Sequence, residues 1–113
     1  MEKGHRYIWV KTCIYQKRVE SDSIIYCKSE NRKVHIYMCP GGEIRGAYHT
    51  LADMEKRLPK DKFFRCNRTI IVNVDFVDQF SEKIPAIILT NGEKISLAKD
   101  RKDDLARLLK CNE

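Results

Sequence analysis

No apolar run in this 113-residue chain approaches the ~20 residues that a membrane-spanning helix needs, and its first residues, M-E-K-G-H-R, contain no apolar signal core. The expectation is a protein with no membrane association. Cysteines number five, at positions 13, 27, 39, 66 and 111, an odd count with wide gaps. They form no C-x-x-C pair and no paired Cys-His spacing, so neither a zinc site nor a disulfide framework is supported. Such usage points to a reducing cytoplasm. Cys13, Cys27 and Cys66 lie among apolar residues and read as small core fillers. Cys66 has a second reading as a redox-sensing thiol, because Arg65 and Arg68 beside it would lower its pKa. No glycine-rich loop exists to cradle a phosphate, and Gly41-Gly42 reads as a turn. His5, His35 and His49 have no Cys or Ser in a catalytic frame, and Asp75 and Asp78 read as solvated strand-end acids. Internal repeats, low-complexity tracts and interdomain linkers are missing too. These absences lead to an expectation of no enzyme activity, no metal and no cofactor.

What is present fits one domain. A chain of this length buries roughly two thirds of its unfolded surface, enough for a core without staples. Lys plus Arg is 22 against 16 for Asp plus Glu, a formal charge of +6. That balance suits a polyanionic partner and serves equally well as a solubility feature.

Strand formers dominate most of the chain. Tyr7 to Tyr15 reads as a strand, Gln16 to Glu20 as a second short arm, and Ser21-Asp22-Ser23 as a turn. Ile24 to Ser29 is a strand, residues 30 to 33 are a polar, basic break, and Val34 to Met38 is extended. Pro40-Gly41-Gly42 marks a turn, with Glu43 to Ala47 returning from it. Thr50 opens a helix as N-cap, with Asp53 completing an approximate capping box; Leu51, Met54 and Leu58 share a face, and Pro59 stops it. Asp75 to Phe80 reads as extended and Pro85 to Thr90 as the next strand. Asn91-Gly92 is a hairpin turn, with Ile95 and Leu97 on one face of the partner arm. From about Lys99 to Lys110 a helical period places Leu105, Leu108 and Leu109 together.

The stretch from Phe63 to Val77, F-F-R-C-N-R-T-I-I-V-N-V-D-F-V, organises the rest. A polar step, Arg65, Asn67, Arg68 and Thr69, lies between two apolar blocks that would hold it stiffly. Arginine and asparagine are the side chains that make bidentate contacts with guanine and adenine edges. An ordinary solvated turn would look the same. Basic residues also gather at two other breaks: Asn31, Arg32 and Lys33 between strands, and Lys99, Arg101 and Lys102 at the start of the last helix.

This stretch resembles the central signature of the LytTR family, the DNA-binding output domains of LytR/AgrA-type bacterial response regulators. Phe64, Arg65, Cys66, Asn67, Arg68, Thr69 and Val72-Asn73 occupy its places, as do Leu58-Pro59 upstream and N-G-E-K-I-S-L-A-K from Asn91 to Lys99 downstream. Two departures are Asn67, where many members carry His, and Ala98 in place of a usual Ser. The resemblance implies a mainly β fold of antiparallel sheets with two short helices. It implies one domain over residues 1–113 with no receiver, either a stand-alone regulator or an excised output domain. It implies sequence-specific binding of double-stranded DNA through loops in successive major grooves, and transcriptional regulation in a two-component setting. A dimer on tandem sites and an upstream sensor or receiver are the partners it suggests. Asn67 and Arg68 match the central contact loop, Lys99 matches the contact after the hairpin, and Asn31 to Lys33 match more loosely. Arg65 fits either a phosphate contact or a brace for the loop. The alternative is a protein- or RNA-interaction module of the same fold.

Overall fold

A computed structural model of the chain describes residues 7–81 and 83–111, which leaves His5 outside the described residues. Ten strands and two helices follow in order: β1 (Tyr7–Lys11), β2 (Gln16–Glu20), β3 (Ile24–Glu30), β4 (Lys33–Met38), β5 (Glu43–Ala47), α1 (Leu51–Arg57), β6 (Phe63–Arg65), β7 (Ile70–Asn73), β8 (Val77–Ser81), β9 (Ala86–Leu89), β10 (Lys94–Ser96) and α2 (Lys102–Cys111). The strands form a ribbon, β1-β2, a five-stranded sheet, β5-β4-β3-β7-β6, and a three-stranded sheet, β10-β9-β8. Every pairing among the described residues is antiparallel. The mainly β architecture with two short helices is the one expected.

The five-stranded sheet is covered on both faces. On one side Phe63, Ile71, Cys27 and Ile36 pack with Ile8, Val10 and Val19 of the ribbon and with Leu51 and Met54 of α1. On the other, Phe64, Val72 and Tyr26 pack with Ile87 and Leu89 of β9, Ile95 of β10 and Leu105 of α2. This explains why Ile70-Ile71-Val72 is unbroken apolar sequence: successive side chains point to opposite faces, and both faces are dry.

Asn73, also fully buried, closes that run. Its Nδ2 donates to the Ile24 carbonyl at 2.9 Å, and its Oδ1 accepts from the Asp75 amide at 3.0 Å. It thereby caps a single 3₁₀ turn, Val74–Phe76, and β8 starts only at Val77, where the sequence reading had extended chain from Asp75. Three other local expectations are corrected. The first strand ends at Lys11, not Tyr15, because the Thr12 hydroxyl accepts from the amides of Ile14 and Tyr15 and folds the chain back. The capping box is half formed. Thr50 Oγ1 accepts from the Asp53 amide at 3.0 Å, while the Asp53 carboxylate turns to His49 Nδ1 at 3.0 Å. The last helix is preceded by a 3₁₀ turn, Lys99–Arg101.

Among the cysteines, Cys27 and Cys66 are buried as expected, but Cys13 is exposed, since it lies in the turn that ends β1. Burial pushes the Cys27 thiol up to about 12. Burial does the same to Cys66, to about 12, and outweighs the lowering by Arg101 and the Val72 backbone. A thiol so protonated is unreactive at neutral pH, which removes the redox-sensing reading of Cys66. In the unfolded chain these thiols lose protons from about pH 9. The folded state therefore holds more protons above that pH, and stability falls as pH rises from 9 towards 12. Urea midpoints at pH 7, 9 and 10 should decline in that order. Maleimide should label Cys13 and Cys39 at once but Cys27 and Cys66 only in denaturant.

Candidate functional site

The order and direction of the strands bring the three basic segments to one end of the five-stranded sheet. β3 ends there at Glu30, β4 starts there at Lys33, β6 ends there at Arg65 and β7 starts there at Ile70. The Ser29 amide donates to the Thr69 carbonyl at 2.8 Å, which ties the β3–β4 turn to the β6–β7 loop. The Ala98 amide donates to the Cys66 carbonyl at 2.9 Å, which ties the segment between β10 and α2 to the same loop.

The β3–β4 connection is a tight two-residue turn. Asn31 and Arg32 both have positive φ, at 54° and 64°, as the twist of a two-residue hairpin demands. Asparagine tolerates that region, but an arginine there costs roughly 1–2 kcal/mol. The result is an exposed Arg32 at the apex, with no polar partner among the described residues. Lys33 follows, with its Nζ 4.9 Å from the centre of the Tyr48 ring. A depression of about 450 Å³ beside it is lined by Arg32, Lys33, Tyr48, His49, Thr50 and Asp53. Tyr48 and His49 had no signal in the sequence, because the β5–α1 loop reaches this end only through the pairing of β4 with β5.

The β6–β7 loop is braced from within. Asn67 Oδ1 accepts from the Thr69 amide at 2.8 Å and from its hydroxyl at 3.0 Å, an Asx-type turn. Asn67 Nδ2 donates to the Ser96 carbonyl at 2.7 Å, across to β10. Arg65 donates through Nε to the Asn67 carbonyl at 3.3 Å and through Nη2 to the Arg68 carbonyl at 2.8 Å. Its third contact is Nη1 to Glu55 of α1, at 3.3 Å. Of the two roles open to Arg65, the geometry is that of a brace.

Arg101 plays a similar part. Its guanidinium lies 4.5 Å over the Phe64 ring, its Nε donates to the Arg65 carbonyl at 3.1 Å, and its Nη1 meets Asp104 at 2.8 Å. Arg68 differs from both: it is exposed, and its guanidinium has no partner among the described residues. Lys99 is exposed and Lys102 half-buried, each likewise without a side-chain partner among them. A second cleft, of about 370 Å³, is lined by Glu55, Arg65, Asn67, Arg68, Ala98, Asp100 and Arg101.

The nine predicted residues thus lie at one end of the fold, where Asn31 shapes the turn, Lys33 sits over Tyr48, and the other seven fall into two sets. Asn67, Arg65 and Arg101 have their polar groups turned inward onto carbonyls and carboxylates, whereas the cations of Arg32, Arg68, Lys99 and Lys102 have no side-chain partner among the described residues. Such an arrangement offers positive charge and unspent donors on a stiff frame, the chemistry that recognises a phosphate backbone and base edges.

A family model described as the LytTr DNA-binding domain matches residues 16–110. Among solved structures, the chain is similar to a LytTr DNA-binding domain from Bacillus cereus, assigned to a methyl-accepting/DNA response regulator. The identity is 24%, the TM-score 0.76, and the match covers 94% of this chain and 98% of that one. No curated protein matches.

Proposed function

This chain belongs to the LytTR family of DNA-binding domains, and on that premise we propose that it binds duplex DNA sequence-specifically and regulates transcription through the loops at one end of its central sheet. The observation that carries the reading is the hydrogen-bonded convergence of the β3–β4 turn, the β6–β7 loop and the segment before α2. Arg68, Arg32 and Lys99 are the proposed groove contacts, with Asn31 and Lys33 beside them. Lys102 is a phosphate contact. Arg65, Asn67 and Arg101 position the loop and do not themselves read DNA. A phosphoacceptor receiver or other sensor upstream, a dimer on tandem sites and action in the cytoplasm belong to the same proposal. LytTR is a DNA-binding and not a catalytic family, and the reading assigns the chain no reaction.

Arg32 allows a test that separates binding from folding. Glycine adopts the left-handed region without strain, so Arg32→Gly should leave the melting temperature unchanged or raise it. The same variant should bind duplex DNA more weakly, with a salt slope shallower by about one. Anisotropy titrations at several salt concentrations, with a melting curve for each protein, measure both. If duplex affinity is untouched, the turn lies outside the interface.

The interaction-module reading has one observation in its favour. Tyr7 and Trp9 are exposed on the outer side of the ribbon, and Ile14 and Tyr15 are exposed at its tip. A wild-type protein that binds no duplex even at low salt would hand the function to that reading.

A further inference from the structure

Glu55 is an acid where the proposed interface should be basic. It projects from α1, its side chain is 47% exposed, and its Oε1 lies 3.3 Å from Arg65 Nη1. With Arg68 and Arg101 it lines the cleft beside the β6–β7 loop. An ion pair this exposed contributes little to stability, so folding alone gives little reason for it. Its electrostatic effect on a polyanion is larger. A carboxylate here cancels one arginine and repels approaching phosphate.

We propose that Glu55 is a specificity-determining residue: it holds Arg65 on the carbonyls of Asn67 and Arg68 and so keeps that cation from binding phosphate indiscriminately. This rests on the DNA-binding reading above. Non-specific affinity comes almost entirely from cations meeting phosphates, whereas discrimination comes from base edges. In a complex that reads bases, Arg65 stays on the loop carbonyls, because the loop must keep its shape. In a complex that does not, Arg65 can leave those neutral carbonyls for a phosphate, and Glu55, its one ion-pair partner among the described residues, opposes this. Removing the charge therefore helps the wrong complexes more than the right one. Specificity is a ratio of affinities, and a group that weakens every complex raises the ratio when it weakens the competitors most.

The test uses the full chain, a duplex recovered by selection from a random pool, and a scrambled duplex of equal length. Glu55→Gln keeps the size and an acceptor for Arg65 but removes the charge. It should tighten binding to the scrambled duplex roughly tenfold at about 50 mM salt, with a slope steeper by about one. The selected duplex should gain less, so that the ratio falls. Glu55→Asp, which keeps the charge, should stay near wild type on the scrambled duplex. A merely structural role would leave the salt slope unmoved. An equal gain on both duplexes, or none on either, overturns the proposal while the DNA-binding reading stands. Wild-type protein that binds neither duplex overturns both.

Discussion

Arg68→Ala should weaken binding to the preferred duplex by roughly 5- to 150-fold, the loss of one bidentate base contact worth about 1–3 kcal/mol. Binding to random sequence should fall only a few-fold, since there the arginine counts as one charge among several. Two features set this expectation. The guanidinium is exposed with no partner among the described residues, so its donors are not already spent. The backbone beneath it is fixed, because Arg65 bonds the carbonyls of residues 67 and 68 and Asn67 anchors the loop to Ser96. Little ordering of the loop is then left to be done on binding. Lys102→Ala is the contrast. It should weaken both duplexes by a similar factor and reduce the salt slope by about one. Titration of selected and scrambled duplexes reads both variants; an equal loss on the two for Arg68→Ala would make that residue a phosphate contact and remove the specificity assignment.

Phe64→Ala should be the costlier change for the fold, at about 3–5 kcal/mol, as for other buried phenylalanines. Phe64 is 4% exposed and belongs to the core formed with β9, β10 and α2. Its ring is also the platform for Arg101, whose Nε holds the Arg65 carbonyl. A cavity would therefore open under the clamp of the β6–β7 loop. Urea unfolding of the two proteins measures the loss. A shift below about 1 kcal/mol would show that the core closes over the gap.

Much of the fold was legible because local signals and tertiary demands agree. The Asn31-Arg32 break, the Thr50 cap and the Leu105 stripe all form where the residue types suggest. The errors come from residues whose partners are set by a single polar group or by distant chain. T-C-I-Y at 12 to 15 is composed of strand formers, and one hydroxyl turns it. The site residues are a separate matter: Asn67 and Arg101 carry donors of the kind that read bases, and sequence does not show that the carbonyls of residues 96 and 65 accept from them in the folded chain. Glu55 carries no signal of its own in the sequence, because its pairing with Arg65 depends on β6 lying beneath α1. The exposure of Arg68 was legible for the opposite reason: a cation at a loop tip needs no knowledge of distant chain to be placed in solvent.

β3 and β7 each contribute to both cores, Cys27 and Ile71 to one and Tyr26 and Val72 to the other. Neither core can melt while the other stays closed, because the shared strands would be left with one wet apolar face. The ribbon with α1, and the three-stranded sheet with α2, are thus leaves on a common spine, and heat or denaturant should take them apart in one cooperative step. The loops at the end of that spine are hydrogen-bonded to one another, so heat or denaturant should disorder the basic end in that same step.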